Sequence, residues 1–155
     1  MSQKIIKDLV HGYICVDDDI CKIIDNVSFQ RLKGISQLTA HHLYPSTNHT
    51  RFEHSLGVMD LALKFFDQLK PQLLEKITTE DKENKIIYLR ENLRFSSLLH
   101  DIGHGPLSHL GQEFYDENEI INAINNLHIC KNEDYVKGAK HEKMSCYIIG
   151  SKFKA

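Results

Sequence analysis

The stretch Leu98-Leu99-His100-Asp101-Ile102-Gly103-His104-Gly105-Pro106-Leu107-Ser108-His109 decides how this chain is read. It closes an apolar run that starts near Leu93 and ends on a Gly-X-Gly-Pro break. An imidazole and a carboxylate side by side are ligands for a divalent transition metal. Adjacent helical residues point about 100° apart, so His100 and Asp101 reach one ion only where a helix end faces a pocket wall. The glycines permit a sharp turn and a close backbone approach to whatever is held there. Taken by itself, the stretch also fits a plain helix C-terminus, with a histidine suited to the negative helix end and a glycine stop.

Upstream, Thr50-Arg51-Phe52-Glu53-His54 opens the most strongly patterned helix of the chain. Thr50 and Glu53 have capping-box spacing. Phe52, Leu56, Met59, Leu63 and Phe66 then step by helical intervals, and Val58, Ala62, Phe65 and Leu69 widen the stripe, which predicts a substantially buried helix ended by Pro71. His54 falls in its first turn. A lone histidine there also reads as a hydrogen-bonded core residue. Arg51 could offer a bidentate guanidinium to a phosphate; otherwise it is a solvated first-turn arginine, which the positive helix end disfavours. His104 and His109 could donate protons to a leaving oxygen or hold a phosphate, or cap the Gly-Pro turn. A cation held by imidazoles and carboxylates keeps open positions for water and phosphate oxygens and brings the pKa of bound water toward neutrality.

The remaining pattern is helical with short connections. "KIIKDLVHGYICV" reads as an extended arm or small hairpin. Asp17 to Asp19 cap a short helix, and Ser28 caps a second one carrying Phe29, Leu32, Ile35 and Leu38. Residues 39–49 are a loop, 72–84 a helix end and connection, and Ile86, Leu89, Leu93 and Ser97 lead helically into His100. Pro106 starts a further helix with Leu107, Leu110 and Phe114. Helices follow in "ENEIINAINNLHI" and "HEKMSCYII", with "CKNEDYVKGAK" as a loop. The fold class expected is all-α with a short N-terminal β arm.

Composition narrows the classes of function. The 155 residues suffice for one cored domain, and 26% charged with 41% hydrophobic residues is ordinary for a globular protein. A net charge of −2 gives no general attraction to nucleic acid or acidic membranes. No apolar run approaches a membrane span and the N-terminus has no signal-peptide core. Four cysteines (Cys15, Cys21, Cys130, Cys146) make no C-x-x-C pair, which suits reduced thiols in cytoplasm or nucleus. Ten histidines is a high count for this length.

The blocks "DLVHGYI" (8–14), "IIDNVSFQRLKGISQL" (23–38), "YPSTNHTRFEHSLGV" (44–58) and "LLHDIGHGPLSH" (98–109) together resemble one branch of the HD phosphohydrolases, the deoxynucleoside triphosphate (dNTP) triphosphohydrolases that include the SAM-and-HD-domain enzyme. The resemblance implies an HD-domain helical bundle and one divalent metal ion (Fe, Mn, Zn, Mg or Ni). His54, His100 and Asp101 match three of its four ligands. Arg51, His104, His109 and His141 match residues lining the triphosphate-hydrolysing site, and Gln37 and Leu38 match the pair bordering the deoxyribose. The implied reaction is hydrolysis at the α-phosphate of a dNTP, giving deoxynucleoside and triphosphate. Asp25, Gln30 and Lys33 match contacts to an activating nucleotide, although Lys33 stands where arginine is usual and Lys7 where asparagine is. Family members commonly form homo-oligomers; neither membrane nor nucleic acid is indicated as a partner.

The departures shape the expectation as much as the matches. The family's fourth ligand, an aspartate, lies well downstream of the HD pair, whereas this chain ends at Ala155; Asp116 and Asp134 are out of order for that role. Gln112 replaces an acidic residue expected three positions after His109. Residues 1–155 are therefore expected to form a single, C-terminally incomplete HD domain. Its function is expected to be that of a dNTP triphosphohydrolase, inactive in this length if the missing half is needed. The alternatives are an HD phosphohydrolase on another nucleotide phosphoester, or a non-catalytic module binding nucleotide or partner subunits.

Overall fold

Thr50 sets the start of the longest element. In the computed structural model, which describes residues 4–44, 46–78, 81–127 and 137–153, the Thr50 hydroxyl accepts the Phe52 N–H at 3.3 Å. The Glu53 carboxylate accepts the Thr50 N–H at 2.8 Å. This reciprocal cap satisfies donors that have no partner inside the helix. Helix α3 (Arg51–Lys76) runs from there antiparallel to α4 (Lys82–Leu99), and Arg90 clasps Asp67 across the pair at 2.9 and 3.2 Å.

Ahead of this pair stand strands β1 (Lys4–Asp8) and β2 (Gly12–Val16), an antiparallel hairpin pairing Lys4 with Val16 and Asp8 with Gly12. Asp8 closes its turn by accepting the N–H groups of Val10 and His11, and Gly12 takes the positive φ of 78° that the turn requires. Helix α1 (Asp18–Ile24) is capped by Asp17, whose carboxylate also pairs with Arg94 of α4. Helix α2 (Val27–Gln30) follows at once. After α4 come α5 (Glu117–Asn126), capped by Asp116, and α6 (Lys140–Lys152), packed on α5. The core joins Ile14 and Val16 of β2, Ile20 and Ile24 of α1, Phe29, Leu32, Leu56 and Met59, Leu98 and Leu99, and Ile102 just past α4. Phe29 is closed off from solvent and meets Phe52 edge-on at 5.4 Å. The architecture is helical with one small β arm, as the sequence indicates. No helix among the described residues is long and apolar enough to cross a membrane.

Four local expectations are corrected. Pro71 lies inside α3 rather than at its end. It removes one N–H, and the Asp67 carbonyl this leaves is at an exposed position where water can serve it. Asn26, not Ser28, caps α2, which tightens into a 3-10 turn (Arg31–Gly34) and stops. Ile35 is then extended: its carbonyl accepts the Arg51 N–H at 2.8 Å and Gln37 N–H donates to His49 O at 3.1 Å, so tertiary pairing wins over helical spacing. The second stripe of α3 is only partly covered: Val58 and Ala62 are half-buried, whereas Phe65 is 62% exposed and Leu69 is exposed too. No helix begins at Pro106; Leu107 and Ser108 adopt φ of 64° and 53°, followed by a 3-10 turn (Leu110–Phe114). His128, Ile129, the expected loop from Cys130 to Val136, Asp134 and Pro45 lie outside the described residues.

Phe29→Ala is expected to cost about 3–5 kcal/mol of folding stability, as for other aromatic truncations in closed cores. Urea unfolding of variant and parent checks this.

Candidate metal centre and histidine cluster

Helix α4 ends at Leu99, and the next three side chains diverge. His100 takes the C-cap and faces outward. Asp101, 4% exposed, turns inward, and Ile102 plugs the core. His100 keeps right-handed helical backbone angles (φ −55°, ψ −37°), and His100 Nε2 lies 3.4 Å from Asp101 Oδ1. The first turn of α3 brings His54 Nε2 to 3.6 Å from Asp101 Oδ2. One donor atom from each of the three lies within 4.8 Å of the others. His100 Nδ1 donates to Ser97 O at 2.7 Å, which fixes the ring proton there and leaves Nε2 as a lone pair. Two imidazole nitrogens and a carboxylate oxygen suit a divalent transition ion.

Charge around Asp101 is arranged to keep it ionised. Burial opposes ionisation, but His100, Arg51 and His104 outweigh it and hold the carboxyl below its usual range. The Arg51 guanidinium is 1% exposed; Nη1 donates to Asp101 Oδ2 and Nη2 to the Ser108 hydroxyl. Arg51 is therefore neither a solvated first-turn residue nor open to both oxygens of a phosphate in this state. Its Nε is buried without a hydrogen-bond partner. For His54, burial lowers the pKa, Asp101 opposes, and His100 and Arg51 lower it further, favouring the neutral, ligating form.

A second group adjoins the first. His104 Nε2 is 3.6 Å from Asp101 Oδ1, and the His104 ring stacks on His141 at 4.1 Å and meets His109 edge-on at 4.8 Å. His104 is closed off from solvent and neither ring nitrogen has a hydrogen-bond partner. Burial, then Arg51 and His141, push its pKa down to about 3. Burial likewise lowers His141, with Glu142 opposing and His109 adding to the effect. The Gln112 amide lies 2.8 Å from His109 Nδ1, so an amide donor there places the ring proton on Nε2.

The loop that carries these groups is fastened from outside. Ser145 of α6 donates to His100 O at 2.9 Å and accepts the Gly103 N–H at 2.8 Å; Tyr115 donates to Gly103 O at 3.0 Å; Arg31 donates to the carbonyls of Ile102 and His104. A Cβ on Gly103 would overlap the His141 carbonyl and Ser145, so α6 seats on the loop only through a glycine.

His54, His100 and Asp101 thus come together, as do His104, His109 and His141, with Arg51 held between Asp101 and Ser108. Gln37 and Leu38 are in neither group: they follow the extended segment paired to residues 49–51, with Gln37 Oε1 buried and unpartnered and Leu38 partly exposed. Asp116 spends its carboxylate capping α5, on Asn118 and Glu119 N–H groups, and does not join the acidic ligand. No motif in the sequence marks Arg31, Ser108, Tyr115 or Ser145 as site residues. Only Ser145 left a trace, one helical turn after His141 on the same face.

Residues 51–155 match the family profile of the HD domain. The deoxynucleoside triphosphate triphosphohydrolase SAMHD1 homolog of Dictyostelium discoideum is 41% identical over 117 residues, 75% of this chain and 21% of that protein. An uncharacterized protein of Methanocaldococcus jannaschii is 45% identical over 107 residues, 68% of this chain and 20% of its own length. The deoxynucleoside triphosphate triphosphohydrolase SAMHD1 of Homo sapiens is 35% identical over 113 residues, 70% of this chain and 16% of that protein. The chain spans about a fifth of the length of these relatives.

Gly103→Ala is expected to destabilise by about 1–3 kcal/mol or more, since the added methyl meets backbone that cannot yield; urea unfolding reads this. A pH dependence follows from the depressed histidines. In chelator-treated protein, His54, His104 and His141 resist protonation relative to their ordinary 6.5, so below that pH the unfolded chain binds more protons than the folded one. Stability is therefore full above about pH 6.5 and falls as pH drops, with the His104 share still being lost down to about 3. The urea midpoint should be lower at pH 5 than at pH 7, and His104→Asn should flatten the difference.

Proposed function

The chain belongs to the HD-domain family, and from that premise we propose that it carries the metal-ligand and histidine part of a phosphohydrolase acting on dNTPs. The observation that carries this reading is the convergence of His54, His100 and Asp101 on one point, with Arg51 and His104 against the same carboxylate and His109 and His141 packed on the His104 ring. The relatives named as triphosphohydrolases support the substrate class.

A divalent ion held by His54, His100 and Asp101 would activate a bound water and neutralise charge on a phosphoryl oxygen. The chain's own residues supply the rest. Asp101 stays anionic under its basic neighbours and presents Oδ1, while Arg51 occupies Oδ2. Arg51 brings a fixed positive charge to where phosphate charge accumulates, and Ser108 holds its second amino group in place. Burial holds His104 and His141 toward the neutral form, so their unpartnered ring nitrogens could meet a polar substrate without adding charge. His109 is assigned to the leaving 5′ oxygen: its imidazolium gives up the Nε2 proton and is left as neutral imidazole, with the Gln112 amide turned so that Oε1 accepts from Nδ1–H. Water adds to the α-phosphorus, the bond from phosphorus to the 5′ oxygen breaks, and the products are deoxynucleoside and triphosphate. Gln37, with a buried amide oxygen lacking a partner, and Leu38 are assigned to the sugar.

Elemental analysis of purified chain and of Asp101→Ala tests the reading. Near-stoichiometric transition metal in the parent that disappears in the variant is expected, with triphosphate released from dNTPs and a loss of about 10²–10⁴ in rate for His109→Ala. Hydrolysis of monoesters instead would move the substrate to another nucleotide phosphoester. Metal-free, folded parent protein would reduce the chain to a binding module.

A further inference from the structure

The HD loop makes little hydrogen-bonded structure of its own. Ile102 N–H reaches Leu99 O and His104 N–H reaches Asp101 O, both at 3.1 Å, as in isolated turns. The carbonyls of Ile102, Gly103 and His104 instead take their donors from side chains elsewhere. Two of the three bind one guanidinium, that of Arg31, whose partners lie 71 and 73 residues further along the chain. Among the described residues no carboxylate forms an ion pair with Arg31, and burial lowers its pKa. A half-buried cation is thus spent on two backbone oxygens flanking a glycine. A planar fork fits that spacing, whereas a single ammonium spans it poorly.

We propose that Arg31 is a positioning residue of the HD loop: by clamping the peptides on either side of Gly103 it sets the placement of the Asp101 carboxylate relative to the His104 ring. The claim rests on the metal-site reading above. Arg31 touches no donor atom of either histidine group; it acts through the backbone between them. Its segment does not need the guanidinium to stay seated. Phe29 and Leu32, on either side in sequence, are both closed off in the core. Removing the fork therefore leaves the packing and loosens the loop. Metal sites lose about 10–100-fold in affinity when groups that orient their ligands are removed.

Cobalt(II) titration of the metal-free chain, followed through its visible d–d bands, reads the ligand geometry without any activity. Arg31→Met should bind cobalt at least about tenfold more weakly and with altered bands, and Arg31→Lys should recover part of the affinity through one retained hydrogen bond. Tyr115→Phe, which takes the donor from Gly103 O, should shift the same bands. Arg90→Met, at a remote ion pair on the α3–α4 face, should leave them unchanged. Parent-like cobalt affinity and bands in a folded Arg31→Met overturn the claim. So does an Arg31→Lys chain that fails to fold, which would make Arg31 a determinant of folding. A parent chain that binds no cobalt overturns the metal-site reading and this claim with it, and that outcome is distinct from a variant that merely matches a cobalt-binding parent.

Discussion

A single carboxylate, Asp101, sits almost closed off from water beneath Arg51, His54, His100 and His104. An isolated buried anion would neutralise or unfold its surroundings. Here the basic groups come from three directions: the start of α3, the end of α4 and the loop beyond it. Their convergence rests on α3 packing along α4, which brings His54 of α3 to the residues just past the end of α4.

The large elements were legible because their signals are local. The capping box of Thr50 and Glu53, the α4 spacing into His100 and the acidic cap of α1 at Asp17 all involve residues within four positions of each other. The metal-ligating types His54, His100 and Asp101 and the later histidines were legible from residue type and the family blocks. What was not legible depends on partners far along the chain. Ile35 leaves the helical pattern because Arg51 needs its carbonyl. Pro106 reads as a helix start until Ser108 is drawn back to Arg51. Arg31 looks like any arginine beside a buried leucine until the loop it clamps is in place. Pro71 misled for the opposite reason: exposure made its local rule cheap to break.

Arg51 shows how one side chain can belong to two groups at once. Its two amino ends tie the Asp101 carboxylate to the turn that precedes His109, alongside the direct approach of His104 to the same carboxylate. Most of its charge is already matched before any phosphate arrives. A phosphate would have to share or replace acceptors that the protein itself supplies, which ties the grip on an anion to the state of Asp101 and Ser108.

The left-handed pair Leu107–Ser108 has a consequence for how this sequence can change. Each non-glycine residue there costs about 1–2 kcal/mol of backbone strain, and Leu107, 62% exposed, recovers little of it by burial. A drift toward glycine at 107 would be welcomed by any selection for sturdiness alone. It would also slacken the short tether that aims His109. The position is thus one where backbone stability and a firm hold on the neighbouring His109 pull in opposite directions.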